Sequence, residues 1–211
     1  MKKINWWNTK FTEEDIEKVS VAIRNKNISM GDVTKELESE LSAKLNVPYV
    51  VCTTSGSIAI LMALIASDIK EDDEVLVPNR TWISAIHAIL MLRAKPIIID
   101  VKKSFPIMDT KFLENYITNK TRAIIPTQIN GRAVEMEKVW NFAKKHNLIV
   151  IEDSAQALFS KYKDNYMGTK SDYGCFSFSV AKLLPTGQGG FVSTNKKENY
   201  LKLLKIRTPW S

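Results

Sequence analysis

Cysteine is scarce. Cys52 and Cys175 are the two cysteines in 211 residues, and both sit in apolar, strand-like runs. That leaves no spaced pattern for a disulfide framework or a zinc site, and it fits a reducing compartment. Long apolar runs are missing too: the longest, Ile58 to Ala66, is far too short to span a bilayer. The opening MKKINWWNTK has the basic start of an export signal without its continuous apolar core, so a cytoplasmic location and no membrane partner are expected. No tandem repeat, low-complexity segment or Pro/Ser-rich linker interrupts the chain. Charge is not concentrated. The net +7 is scattered, with short clusters at Lys102–Lys103, Lys144–Lys145 and Lys196–Lys197. No nucleic-acid-binding motif accompanies them, so they are expected to be solvated surface rather than a nucleic-acid face. A diffuse positive field still favours an anionic substrate such as a nucleotide diphosphate.

What is present is an ordinary globular composition, 45% hydrophobic and 25% charged, in a chain long enough for one sizeable core. Thr12 caps a helix expected to run to about Lys26, with Ile16, Val19 and Ile23 at helical spacing. A second helix starts near Asp32, carries Leu37, Leu41 and Leu45 on one face, and is expected to end at Pro48. Short Ile/Val-rich strands are expected at 49–52, 75–77, 97–100, 123–125, 148–151, 174–178 and 191–194. Helices are expected between them at 58–66, 82–92, 110–118, from Met136 past Ala143, and at 196–206. Segment 159–173 is polar and turn-rich, a hairpin or excursion. Alternating strands and helices of this kind predict a three-layer α/β/α fold with a mostly parallel central sheet. Residues 1–30 read as an arm and helix, with Trp6, Trp7 and Phe11 available to pack, and 31–211 as the main domain.

The chemistry centres on CFSFSVAKLLPTGQGG, residues 175–190. Its one lysine, Lys182, is flanked by Phe176, Phe178, Val180, Ala181, Leu183 and Leu184. These neighbours are expected to desolvate the amine, lower its pKa and make it a nucleophile for a carbonyl. Upstream, strand 49–52 meets the turn Thr53-Thr-Ser-Gly-Ser57, which opens a helix. Unpaired N–H groups and the Ser55 and Ser57 hydroxyls there suit a phosphate, or Ser55 or Ser57 is a plain N-cap. Trp82 follows strand 75–77 at the edge where α/β folds place ligands, as a cover for a flat ring or as a core or interface tryptophan. His87 reads as packing. Gln128 and Asn130 could read substrate hydroxyls or cap their turn. Asp153 lies just beyond a buried strand, where a carboxylate needs a partner. A protonated ring nitrogen is one such partner, a helix N-cap role another, and a metal site at Glu152/Asp153 a third, disfavoured because no histidine or further carboxylate follows. Ser177 adds a second hydroxyl five residues before Lys182. Taken together, a phosphate cradle, ring cover, carboxylate, hydroxyl and carbonyl-reactive lysine point to pyridoxal phosphate, with no metal.

Seven stretches in order carry a wider resemblance: ISMGDVTKELESEL, TTSGSIAILMAL, DDEVLVPNRTWISAIHAIL, AKPIIIDV, TRAIIPTQINGRAVEMEKV, LIVIEDSAQAL and CFSFSVAKLLPTGQGGFVSTN. With them the chain resembles the DegT/DnrJ/EryC1/StrS sugar aminotransferases, within the fold-type I pyridoxal-phosphate enzymes. The resemblance implies roles by position. Lys182 would hold the cofactor as a Schiff base and shuttle a proton. Asp153 would pair with the pyridinium nitrogen and Gln156 with the phenolic oxygen. Trp82 and Ala155 would pack on the two ring faces, and Gly56, Ser57 and Ser177 would hold the phosphate. It also implies amino transfer, usually from glutamate, to the keto sugar of a nucleotide diphosphate, for surface polysaccharide or amino-sugar biosynthesis, by a homodimer. Departures stand out: Gln188 where the family commonly has Glu, and Gln128 where a histidine is common. Relatives continue past the Arg207 region into a C-terminal domain, so the resemblance covers their large domain, and a separate C-terminal half is an expected partner. The alternatives are another fold-type I enzyme, with no loop cysteine to make it a desulfurase, or a non-catalytic module of the same fold.

Overall fold

In the computed structural model, which describes residues 7–208, a seven-stranded sheet lies between two layers of helices. Trp6 lies outside the described residues; Trp7 and Phe11 are exposed. Helix α1 (Glu13–Arg24) starts on a reciprocal capping box: Thr12 accepts from the Asp15 N–H, and Asp15 accepts from the Thr12 N–H. Its apolar stripe, Ile16, Val19 and Ile23, is exposed. Helix α2 (Asp32–Leu45) buries Leu41 and Leu45. It ends at Asn46, which takes the left-handed conformation with φ 52°, two residues before the proline expected to stop it.

The strands are β1 (Tyr49–Thr53), β2 (Glu74–Pro78), β3 (Lys95–Ile99), β4 (Thr121–Ile124), β5 (Ile149–Asp153), the short hairpin β6 (Lys161–Tyr162) and β7 (Asn165–Tyr166), then β8 (Tyr173–Ser177) and β9 (Gly190–Thr194). The main sheet has the order β1-β9-β8-β5-β4-β2-β3. β9 pairs antiparallel with both β1 and β8, and the other pairings are parallel. Helices α3 (Gly56–Ala66), α4 (Ser84–Met91) and α6 (Lys197–Arg207) cover one face, over Val51, Val75, Val77, Ile125, Ile151, Cys175 and Val192. The opposite face carries α5 (Met136–His146) over Leu76, Ile124 and Val150, and α2 over Val50, Phe176 and Phe191. Alternation along each strand thus feeds two cores, which is why the strands read as unbroken Ile/Val runs.

Local departures from expectation have local causes. Segment Thr110–Tyr116 is a 3₁₀ helix kinked at Phe112, not an α-helix. α4 starts at Ser84, so Trp82 stays on the loop, and His87 is exposed rather than packed. α6 is anchored at its end by an ion pair from Arg207 to Glu38 of α2, whose carboxylate also accepts from the Cys52 N–H of β1.

The turn after β7 is pressed onto the sheet by glycine. A Cβ at Gly174 of β8 would stand 1.9 Å from the Gly168 carbonyl oxygen and 2.6 Å from Ser193 Oγ. Gly174→Ala is therefore expected to destabilise the fold by about 3 kcal/mol, read from urea unfolding midpoints. A change within ~0.5 kcal/mol would show that the turn yields freely and does not brace the sheet.

Candidate functional site

Parallel register puts the site together. Ile125, Ile151 and Cys175 belong to one core face. Two residues further along each chain stand Thr127, Asp153 and Ser177, which therefore continue that face at the C-terminal edge of the strands. Asp153 lies opposite Cys175 across β5 and β8, and Thr127 bridges to Asp153 on the other side. This is the edge where open α/β sheets bind ligands. Asp153 is the last residue of β5, which runs two residues past its expected end at Ile151, and turns rather than a helix follow it, so it caps no helix.

The Asp153 carboxyl is 3% exposed. Burial pushes its pKa up; the Ala155 N–H, the Lys182 charge and the hydroxyls of Thr81 and Thr127 pull it back. Its Oδ1 accepts from the Ala155 N–H at 3.1 Å, and its Oδ2 from the Thr81 hydroxyl at 3.5 Å. Lys182 sits on the turn after β8, its N–H donating to the Ser179 carbonyl at 2.9 Å. Burial lowers its amine pKa, and the Asp153 charge partly restores it. The flanking apolar residues do not form a buried shell around the amine. Val180, Leu183 and Leu184 are exposed, Leu183 by 74%, while Phe176 and Phe178 point into the core beneath α2. The Lys182 loop is closed by Phe178 N–H to the Gly189 carbonyl and Thr186 N–H to the Phe178 carbonyl, at 2.8 and 2.9 Å. Gln188 is exposed, and its carbonyl accepts from the Thr186 hydroxyl at 2.8 Å.

Opposite this loop stands the N-terminus of α3. Ser55 is the N-cap, accepting from the Ile58 N–H at 3.2 Å. The first-turn N–H groups of Gly56 and Ser57 have no carbonyl in their own helix to bond. A Cβ at Gly56 would come 2.8 Å from Ser177 Cβ, and one at Gly190 would come 2.7 Å from the Gly56 nitrogen. Two glycines thus bring the helix terminus against Ser177. Trp82 is 69% exposed and is no core residue; its neighbour Thr81 reaches Asp153. Ala155 is half-buried after Asp153. Gln156 is exposed, and its Oε1 accepts from the Asn130 N–H at 2.8 Å.

Two polar side chains beside the site are satisfied inside the fold. Gln128 is fully buried and reads no substrate: its Nε2 donates to Glu152 at 2.9 Å, and its Oε1 accepts from the Val134 N–H at 2.8 Å. Glu152 points away from Asp153 and accepts from Gln128, the Gly168 N–H, Ser171 and Ser154. Those donors occupy its oxygens, so it braces the fold. The roles of Thr81 and Thr127 were missed; the available signal was a polar residue where an Ile/Val alternation leaves the strand. Neither cysteine is a ready nucleophile, since burial pushes the Cys52 thiol up to about 12 and Cys175 well above its ordinary value.

This edge, on a sheet parallel except for β9, defines the class: a fold-type I transferase architecture. The chain belongs to the DegT/DnrJ/EryC1/StrS aminotransferase family, whose profile matches residues 9–209. It is 36% identical over 208 residues to the GDP-perosamine synthase of Escherichia coli O157:H7, covering 98% of this chain and 57% of that protein. It is 37% identical to the UDP-N-acetyl-3-dehydro-alpha-D-glucosamine 3-aminotransferase of Acidithiobacillus ferrooxidans, over 84% of this chain and 48% of the relative. A candidate sugar aminotransferase of Streptococcus pneumoniae, solved in its PLP form, superposes with a TM-score of 0.90 at 28% identity, over 96% of this chain and 57% of that one. The chain spans about half the length of these proteins.

A lowered pKa leaves more of the Lys182 amine neutral at a given pH. Ion pairs raise the pKa of Lys138, Lys163 and Lys196 instead. Titrated with a small acylating reagent and mapped by mass spectrometry, Lys182 is expected to reach half-maximal labelling at a lower pH than those three. A midpoint equal to or above theirs would contradict the desolvated amine.

Proposed function

We propose that the chain is the cofactor-binding half of a nucleotide-sugar aminotransferase, using pyridoxal phosphate. The observation that carries this is the juxtaposition at one sheet edge of a buried carboxylate, Asp153, and a desolvated amine, Lys182, each acting on the other's charge. The residues present fit the cofactor. The close approach of Gly56 to Ser177 joins free N–H groups to a hydroxyl, a cradle for a phosphate, and any side chain at Gly56 would fill it. Lys182 would hold the aldehyde, Asp153 the ring nitrogen, and Gly56, Ser57 and Ser177 the phosphate. Exposed Trp82 and half-buried Ala155 would take the two ring faces, and Gln156 the phenolic oxygen. When bound, the cofactor supplies an electron sink for the donor's α-carbon. Against it, Asp153 would keep the ring nitrogen protonated by remaining anionic. Lys182, with its amine held below the ordinary lysine range, would serve as the base that moves a proton.

The substrate reading rests on the two relatives, a GDP-sugar synthase and a UDP-sugar aminotransferase by name. A keto sugar on a nucleotide diphosphate is the proposed acceptor and glutamate the proposed donor, in a cytoplasmic homodimer serving surface polysaccharide or amino-sugar biosynthesis. Residues 31–211 are the proposed cofactor-binding domain, and residues 1–30 an arm and helix beside it. The alternative of a non-catalytic module of the same fold is separated from the enzyme by the outcome of one assay.

The test is transfer of nitrogen from ¹⁵N-glutamate to GDP- and UDP-linked keto sugars, with pyridoxal phosphate present. The chain is assayed alone and with a family C-terminal half supplied as a second polypeptide. Labelled amino sugar that disappears in Lys182→Ala is the expected result. Cofactor uptake without labelled product in either arrangement would leave the module reading and overturn the enzyme.

A further inference from the structure

We propose that Thr127 and Thr81 are positioning residues, a two-hydroxyl relay that holds the Asp153 carboxylate ionised and fixed in plane. What Asp153 would be held ready for, a protonated ring nitrogen, rests on the cofactor reading above.

The geometry is specific. Beyond the end of β4 the chain stays paired with β5: the Asp153 N–H donates to the Pro126 carbonyl and the Gln128 N–H to the Asp153 carbonyl, both at 2.9 Å. Thr127 and Asp153 therefore stand side by side on one face, 4% and 3% exposed. The Thr127 hydroxyl donates to Thr81 Oγ1 at 3.0 Å, and the Thr81 hydroxyl donates to Asp153 Oδ2 at 3.5 Å. Three elements meet here: the loop after β2, the loop after β4, and the end of β5. A hydroxyl that accepts one hydrogen bond is polarised to donate the next, so Thr127 strengthens and orients the bond Thr81 makes. Valine would fill the Thr127 position equally well as a continuation of the Ile125 face. The buried hydroxyl is there to be used.

The other support of the anion is of a different kind. Lys182 is the cation acting on Asp153, and its amine is the group the aldehyde would engage. Cys175, opposite Asp153 on β8, is kept neutral by burial, and Glu152 points to the other face with its own donors. The Ala155 N–H and the Thr81 hydroxyl, with Thr127 behind it, are thus the neutral, permanent partners of the carboxylate. Losing a hydrogen bond to the charged form raises a carboxyl pKa.

The test uses Thr127→Val, which removes the hydroxyl at constant volume, and Thr127→Ser, which keeps it. Two readouts other than activity are taken. One is the pH midpoint of the Asp153 carboxyl in the cofactor-free protein, from ¹³C-aspartate NMR assigned with Asp153→Asn. The other is the acid limb of pyridoxal phosphate affinity between pH 5 and 9. In Thr127→Val both are expected to move up by on the order of one pH unit, and in Thr127→Ser to stay in place. An unmoved carboxyl midpoint in Thr127→Val, or an equal shift in Thr127→Ser, would overturn the relay. A moved midpoint with no cofactor bound by any variant would keep the relay and sink the cofactor reading, so the two fail separately.

Discussion

A carboxylate buried at the end of a parallel strand is the constraint around which this protein is arranged. Taking such an ion out of water costs several kcal/mol even after relaxation, and each hydrogen bond to it returns only about 1.5–3 kcal/mol. Asp153 has one backbone N–H, one hydroxyl within 3.5 Å and a cation across the site. Its pKa remains above the ordinary aspartate value, so the support is partial. A group in that state stabilises the fold least when it is charged: the native state gains on acidification below its raised pKa, and loses that gain as pH rises through it. The protein keeps a carboxyl group whose charged form is costly at the C-terminal edge of the sheet, and under the proposed function a positive ring nitrogen would complete its support.

Glu152, the adjacent residue, shows the opposite solution. The period of two along a strand sends it to the other face, where four donors from the β4 loop, the segment between β7 and β8 and its own turn satisfy it. One acid is satisfied within the fold and the other is not. The same alternation sorts the Ile/Val runs into two cores and leaves Thr127, Asp153 and Ser177 in line beyond one of them. Glycine makes the rest of the edge possible, because Gly56 and Gly190 let the α3 N-terminus close onto Ser177.

Much of this was legible in the chain. Continuous Ile/Val runs, helix caps at Thr12 and Ser55, and turn residues at the strand ends predict the layers and most element positions, since those signals are local. That Asp153 and Lys182 share one edge of the sheet was legible because each stands at or just past the end of a buried strand. What failed was what depends on neighbours across the sheet. The apolar flanks of Lys182 suggested the source of its desolvation, yet Leu183 and Val180 face solvent. Gln128, after a strand, left open whether it reads a substrate or caps its turn, and only its bonds to Glu152 and the Val134 N–H explain its burial. Thr81 and Thr127, 46 residues apart, have no joint signature until β2, β4 and β5 are laid side by side.

The proposed hold of this edge on pyridoxal phosphate through Lys182 is tested by borohydride reduction of the chain after incubation with one equivalent of the cofactor, followed by peptide mapping. A single pyridoxyl adduct on Lys182 is expected, lost when Asp153 is replaced by a residue that cannot carry a charge. No adduct, or adducts spread over the surface lysines with Lys182 unmodified, would contradict it.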